Sequence, residues 1–333
     1  MYFILFADDT NVFFSHSSLE TLFQIVNNEL SLAANWFCAN KLTLNLDKTN
    51  YILFRSHRKP CPSQYPILSI NGSPLSRVES TKFLGVYVDQ HLTWQDHIKC
   101  ISSKIAKNTG IIARTAYLLP PSVRIKLYYS LVYPYLAYCN LIWASTYTTR
   151  LHRLIILQKR VIRIVAGTAY GSHTAPLFYK LNILKFEQIK LYQSGEFMYR
   201  YDHNLLPSVY KVFFSLASEI HSHSTRNSSN YRCIFARTNS RLFSIRVTGP
   251  SIWNKIPQGI RQSPSLVLFK KNYALIWLLI LIMYLYESKC LCMILPPTHI
   301  MFFSNDSFDL VKILIYLIWL RFYQVIESTF CLN

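Results

Sequence analysis

Acidic residues are scarce in this sequence of 333 residues. Sixteen Asp and Glu stand against 35 Lys and Arg, so the formal net charge is +19 and the pI is about 9.6. An excess of positive charge on this scale favours a polyanionic partner over a merely soluble basic protein. Nucleic acid is the better candidate for that partner, and a membrane surface is the alternative.

Two targeting or redox patterns are also missing. The eight cysteines form no C-x-x-C pair, and the apolar start of the chain reaches Asp8 too early for a secretory signal. We therefore expect reduced thiols and an intracellular protein, in the nucleus or the cytoplasm. The uncharged run 274–286 has 13 residues, fewer than the ~20 that cross a bilayer. Membrane association through this run is the alternative location.

Glycine is absent from residues 274–333, where three Lys and Arg are outnumbered by four Asp and Glu. The charge balance therefore reverses at Ala274. We expect this apolar tail to lie outside the domain that precedes it and to be dispensable for its folding.

Two adjacent carboxylates, Asp8 and Asp9, stand between two short apolar runs near the start. Such runs, rich in aromatic and β-branched residues, are typical of strands, and Asp tolerates turn geometry. The pattern predicts a β-hairpin with buried strands and both acids at its tip. Adjacent carboxylates repel each other unless a cation such as Mg²⁺ offsets the charge.

The segment Phe6-Ala7-Asp8-Asp9 resembles the catalytic hairpin of reverse transcriptases. The resemblance implies that Asp8 is a metal ligand and Asp9 its supporting neighbour in a two-Mg²⁺ phosphoryl-transfer site. Such a site needs a further carboxylate from another strand, which in that family lies upstream of the hairpin. We therefore expect the sequence to be the C-terminal part of a longer polymerase and to be inactive alone.

After the hairpin, apolar residues repeat at helical spacing and predict a helix over about 18–39, with Ser17 as N-cap and Trp36 on the buried face. The helix should pack on the hairpin. A turn and a strand pair follow. The pattern Leu44-Asn45-x-x-Lys48-Thr49 resembles the next reverse-transcriptase motif, which implies that Lys48 approaches the phosphates of the incoming nucleotide. Without the resemblance, a solvated surface lysine is the simpler interpretation.

Two more turns are predicted between residues 67 and 98. Asn71-Gly72 predicts a type I′ hairpin, and Gly85 indicates close backbone approach within a strand. The stretch Phe83-Leu84-Gly85-Val86, followed by Leu92-x-Trp94-x-x-His97, resembles the primer-grip hairpin and thumb entry of non-LTR (LINE-type) retrotransposon reverse transcriptases. The resemblance implies that Phe83, Leu84 and Gly85 contact nucleic acid.

Residues 97–203 are predicted to be mainly helical. A helix is expected to end at Pro120-Pro121, with Ser122 capping the next, and Pro134 should interrupt that one. Basic residues alternate with apolar ones over 150–164, which indicates an amphipathic basic helix. A solvated face is the simpler interpretation, and phosphate contact becomes at least as plausible beside a polymerase site. The predicted contacts are Lys104, Lys107, Arg153, Lys159, Arg160 and Arg163.

The stretch 207–273 interleaves arginines with Tyr231, Phe235 and Phe243. This mixture suits single-stranded nucleic acid, because bases stack on aromatic rings. The arginines predicted to bind are Arg226, Arg232 and Arg237. The pattern Gly249-Pro250-x-x-Trp253 onward resembles the closing segment of CR1-like and jockey-like elements.

These observations predict an α+β fold. The C-terminal half of a polymerase palm, antiparallel strands plus a packed helix, should occupy residues 1–93. A helical thumb and connector should follow over 94–206, a basic segment over 207–273, and the apolar tail over 274–333.

The resemblance implies RNA-directed DNA synthesis, with an RNA template, a DNA primer or target and deoxynucleotides as partners. The first alternative function is a non-catalytic nucleic-acid-binding remnant. A membrane-associated protein is the second alternative, and it depends only on the tail.

Overall fold

The computed structural model describes residues 2–6, 9–56, 65–219 and 228–287. The chain divides into two compact units, the first ending at His97 and the second beginning at Ile98. Their described elements mix helices with small two-stranded sheets. The assignment of these units to a palm and a thumb, and the boundaries at 93, 206 and 273, stay predictions.

The described residues of the first unit include one long helix and eight short strands. In chain order these are β1 (Tyr2–Phe6), β2 (Asp9–Phe13), α1 (Leu19–Ala39), β3 (Asn50–Tyr51), β4 (Ser69–Ile70), β5 (Ser73–Pro74), β6 (Ser76–Arg77), β7 (Ser80–Phe83) and β8 (Val86–Asp89). These strands form four separate two-stranded sheets: the antiparallel hairpins β1–β2, β4–β5 and β7–β8, and the parallel pair β3–β6. The long segment 41–54, predicted as a strand pair, contributes only the two residues of β3.

Helix α1 begins one residue later than predicted. Its N-cap is Ser18, whose side chain accepts a hydrogen bond from the backbone N–H of Thr21, so the assignment of Ser17 is wrong. Phe23 is buried and packs edge-on against Tyr51, with 6.1 Å between the ring centroids. Trp36 was expected on the buried face, but it is 59% exposed.

Asn27 ties α1 to the strand β4. Its side-chain amide donates to the carbonyl of Ile67 and accepts from the N–H of Ser69, each at 3.0 Å. The turn between β4 and β5 has positive φ at both Asn71 (50°) and Gly72 (78°), as a type I′ turn requires. The predicted Asn-Gly hairpin is therefore confirmed.

The second unit is helical. Its first helix, α2 (Gln95–Thr115), starts at the end of the first unit, and the other helices are α3 (Pro121–Leu131), α4 (Tyr133–Ala137), α5 (Asn140–Trp143), α6 (Thr148–Ala166), α7 (Thr174–Lys180), α8 (Phe186–Asp202), α9 (Asn239–Leu242), α10 (Ile245–Asn254), α11 (Gln258–Arg261) and α12 (Leu266–Glu287). Pro134 lies in the first turn of α4, directly after the break at Val132, as predicted. Ser122 does not cap α3, because the N-cap is Pro120 and the helix already begins at Pro121.

Gln158 is a polar residue in the centre of the helical core. It is 1% exposed, and its amide donates to the hydroxyl of Tyr128 (2.9 Å) and the carbonyl of Leu184 (3.0 Å). Its side-chain oxygen accepts from the N–H of Phe186 at 2.8 Å. A buried amide is tolerated only with partners of this kind, so Gln158 joins α3, α6 and the start of α8.

Helix α8 packs against both α10 and α12. The buried cluster between them consists of Met198, Tyr199, Phe214, Tyr231, Trp253, Ile256, Phe269 and Tyr273. No helix in the described part of the chain has the length and apolarity that a membrane span requires.

Candidate nucleic-acid interface

The predicted acidic hairpin is present, but its strands are not buried. Strands β1 and β2 pair so that Phe6 faces Asp9, which places exposed Asp9 at the first position after the connection. Leu5 is 70% and Phe6 61% exposed. A two-stranded hairpin can bury a face only where another element packs against it. The exposed side chains of Leu5 and Phe6 show that the expectation of buried strands was wrong.

Few of the side chains that could bind Mg²⁺ at this hairpin tip belong to the described residues. Asp8 lies outside the described residues, and those described include no cluster of three or more Asp, Glu, His or Cys side chains. Asp9 alone supplies one carboxylate, whereas a two-metal site needs several oxygen ligands. The described residues therefore do not by themselves form such a site.

Lys48 lies on a turn directly before β3. The side-chain oxygen of Asn45 accepts from the backbone N–H of Lys48 at 3.2 Å, and the hydroxyl of Thr49 donates to the carbonyl of Asn45 at 2.8 Å. The Asn45 and Thr49 side chains thus fix the turn. The Lys48 side chain is exposed.

The Phe83-Leu84-Gly85 segment forms a tight turn between β7 and β8. Leu84 (φ 44°) and Gly85 (φ 85°) both occupy the left-handed region, so Gly85 lies in the turn and not within a strand as predicted. The left-handed conformation costs a non-glycine residue about 1–2 kcal/mol, which makes leucine an unusual choice here. Phe83 packs edge-on against Phe13 with 6.4 Å between the ring centroids, and this contact joins two of the predicted motifs.

Asp89 is a polar residue whose role the sequence did not reveal. Its carboxylate accepts hydrogen bonds from the backbone N–H of His91 (3.0 Å), Thr93 (3.0 and 2.9 Å) and Trp94 (2.8 Å), and from the Thr93 hydroxyl (3.2 Å). Burial by itself would raise the pKa of this carboxyl, but these hydrogen bonds outweigh it and hold the pKa below its usual value. The carboxylate fixes the loop in which Leu92 and Trp94 have positive φ.

Helix α6 is amphipathic, as predicted. Leu154, Leu157 and Val161 are buried, and the opposite face exposes Arg153, Lys159 and Arg160. The 19 residues of α6 include no Asp or Glu, so no acidic neighbour on the same helix offsets these charges. From Arg153 to Arg163 this basic face extends about 15 Å at the helical rise per residue.

Helix α2 has a similar arrangement. Ile98, Ile101, Ile105 and Ile112 are all buried and form its apolar face. Lys104 and Lys107 are exposed, and the Lys104 ammonium lies 5.5 Å from the centroid of the Tyr135 ring. The face of the ring attracts the ammonium electrostatically, and the lysine keeps its positive charge.

The basic and aromatic stretch before α10 is only partly available to a ligand. Arg226 lies outside the described residues, whereas Arg232 and Arg237 are exposed and Phe235 is 85% exposed. Tyr231, predicted as a stacking ring, is instead buried, and its hydroxyl donates to a carboxylate oxygen of Asp202 at 2.7 Å.

The jockey-like segment from Gly249 onward has a packing role. A Cβ on Gly249 would come within 2.8 Å of the Met198 sulfur, so glycine permits the close approach of α10 to α8. Trp253 is 1% exposed in the buried cluster. The side chain of Asn254 donates to the Tyr231 carbonyl at 2.8 Å and accepts from the Tyr231 N–H at 3.0 Å.

Comparison with known proteins finds RNA-directed DNA polymerases of mobile elements among the relatives. The chain is 24% identical over 184 residues to the RNA-directed DNA polymerase from mobile element jockey of Drosophila funebris, a match that covers 54% of this chain and 20% of the relative. Over 198 residues it is 23% identical to the probable RNA-directed DNA polymerase from transposon X-element of Drosophila melanogaster, covering 57% of this chain and 21% of that protein.

No family model and no solved structure matches the chain. The chain spans about a fifth of the length of the jockey and X-element relatives. Over about half of its own length, the chain is a homologue of the RNA-directed DNA polymerases of non-LTR retrotransposons of the jockey and X-element kind.

Proposed function

We propose that this chain is a nucleic-acid-binding part of an RNA-directed DNA polymerase. Its ligands are the RNA template and the DNA primer or target, and it holds them through the exposed cations of α2 and α6. The names of the relatives supply the reaction class. The observation that carries the proposal is the basic face of α6, where three exposed cations lie opposite a buried apolar face on a helix without acids.

Phosphate contact accounts for this face better than simple solvation does. Surface helices usually alternate charges of both signs, whereas α6 presents cations alone. Like charges within one or two turns repel each other in the free protein, and a polyanion relieves that repulsion. Exposed Arg232, Arg237 and the neighbouring Phe235 add a second basic and aromatic segment in the same unit, suited to unpaired bases.

The catalytic assignment belongs to the same proposal. In the polymerase, Asp8 and Asp9 act as metal ligands for Mg²⁺ and Lys48 approaches the phosphates of the incoming deoxynucleotide. Support comes from the hairpin that places Asp9 at its tip and from the turn that exposes Lys48. Further carboxylates complete the metal site in this proposal.

The binding proposal is tested with a charge-reduced variant of α6. Fluorescence anisotropy would measure the affinity of the full chain for a labelled single-stranded RNA at several salt concentrations. Replacing Arg153, Lys159 and Arg160 by alanine should weaken binding at least tenfold. It should also reduce the slope of log K against log salt by about 2, because each lost phosphate contact contributes ~0.7 on single strands.

A matched control separates the α6 face from overall charge. Lys126, Lys255 and Lys271 are also exposed, and replacing these three by alanine removes the same net charge. The control variant should lose much less affinity than the α6 variant. Equal losses in the two variants, or binding that does not depend on salt, would contradict the proposed interface.

A further inference from the structure

We propose that Tyr170 is a stacking platform for an unpaired nucleobase, at the end of the basic face of α6. The inference rests on the proposed function and adds a base-binding subsite to its phosphate-binding face. The ligand class is a single-stranded RNA or DNA segment, recognised through the flat face of a base and not through its sequence.

The loop that carries Tyr170 is tied to the last turn of α6. Gly167 ends the helix with φ of 68°, and the N–H of Thr168 donates to the carbonyl of Arg163 at 3.0 Å. The N–H of Ser172 donates to the carbonyl of Ala169, also at 3.0 Å, which closes a turn around Tyr170. The ring is therefore presented from a hydrogen-bonded loop that starts where the basic helix stops.

Arg163 connects the loop to the basic face. Its Nε donates to the carbonyl of Ser172 at 2.8 Å, and its guanidinium carbon lies 5.9 Å from the centroid of the Tyr170 ring. Arg160 precedes Arg163 by three residues and so shares its side of the helix. A strand whose phosphates follow the exposed cations of α6 would thus bring a base to the ring.

The exposure of Tyr170 is explained better by base binding than by a role in stabilising the fold. The side chain is 82% exposed, so it adds little to the packing of the helical unit. Bases stack on aromatic rings and on guanidinium planes. A solvent-exposed aromatic ring beside an arginine is therefore suited to binding a planar base. The half-buried Arg163 positions the ring and adds a favourable charge for the ligand.

The test compares two oligonucleotides that differ only in their bases. Anisotropy would measure binding of the full chain to a labelled 12-residue oligothymidylate and to an abasic oligomer of the same length. Tyr170→Ala should weaken oligothymidylate binding about tenfold, the usual scale for one stacked base, and leave abasic binding unchanged. Tyr170→Phe keeps the ring and should bind like the wild-type chain.

Tyr117 provides the matched control, since it is 83% exposed and follows the end of α2. Tyr117→Ala should leave both affinities unchanged. If Tyr170→Ala has no effect, or weakens both oligomers equally, while Arg160→Ala still weakens binding, the stacking subsite is wrong and the proposed function stands. If the wild-type chain binds neither oligomer, the proposed function itself fails.

Discussion

Replacing Asp89 by asparagine should loosen the loop between β8 and α2. The carboxylate receives four hydrogen bonds from backbone N–H groups and one from a hydroxyl. Asparagine keeps one acceptor oxygen, which can still serve His91 and Thr93. Its amide nitrogen would face the N–H of Trp94, donor against donor, and the charge that strengthens every bond would be lost.

The cost follows from these contacts. A hydrogen bond to a charged group contributes about 1.5–3 kcal/mol, and Asp89 is only half-buried, so the lower part of that range applies. Loss of the Trp94 bond and weakening of the others should together cost about 2 kcal/mol in the local opening free energy. That corresponds to roughly thirtyfold faster amide exchange, since ~1.4 kcal/mol is a factor of ten.

Hydrogen–deuterium exchange of a peptide that covers residues 89–97 is the assay. Asp96→Asn is the control, because Asp96 is an exposed acid in the first turn of α2. Its loss should change exchange at residues 91–94 by no more than a few fold. Unchanged exchange at Thr93 and Trp94 in the Asp89 variant would refute the reasoning.

The pH dependence gives the same prediction an independent check. The pKa of Asp89 is lowered in the folded chain, so the carboxylate stabilises the loop fully above its unfolded pKa of ~3.9. This contribution is lost only as pH falls through the lower, folded pKa. The difference between wild type and Asp89→Asn should therefore be constant from pH 5 to 7 and shrink below about pH 4. A difference that already disappears at pH 6 would point to another group.

Three further outcomes are expected. Gln158→Leu should destabilise the helical unit by about 2–4 kcal/mol in urea unfolding, because Leu184 and Phe186 keep buried backbone groups without a partner; a loss below 1 kcal/mol would contradict this. Truncation after Tyr273 should leave the thermal transition of the remainder within a few degrees and raise the soluble yield, and loss of a cooperative transition would place the tail in the fold. The 333-residue chain should not extend a primer on an RNA template with Mg²⁺, and extension that disappears in Asp8→Ala would overturn that expectation.

Local rules predicted those parts of the fold that depend on local chemistry. Asn71-Gly72 specified its turn because both residues accept positive φ. Leu84-Gly85 forms a turn with the same signs of φ, yet the sequence predicted strand there, because leucine is disfavoured in that conformation. Periodicity identified the buried face of α6, but at Trp36 it could not show whether any element covers the helix.

The polar contacts were beyond the reach of the sequence for a different reason. Asp89 and Gln158 accept hydrogen bonds from backbone N–H groups. Every residue type except proline has such a group. The residue types in the sequence therefore do not identify these hydrogen-bond partners. Tyr231 illustrates the reverse error, since its place among arginines predicted a stacking ring. The long-range bonds to Asn254 and Asp202 hold it in the core instead.

The end of the jockey-like segment shows how sequence and packing divide the chain differently. The charge balance reverses at Ala274, yet α12 continues from Leu266 to Glu287 without a break. Tyr273 stacks on Tyr192 with 5.8 Å between the ring centroids. A Cβ on Gly195 would come within 2.3 Å of the Tyr273 ring. The tyrosine thus depends on a glycine 78 positions earlier. Ile276 also packs against the buried cluster, and the helix therefore extends the core slightly beyond the point at which the composition changes.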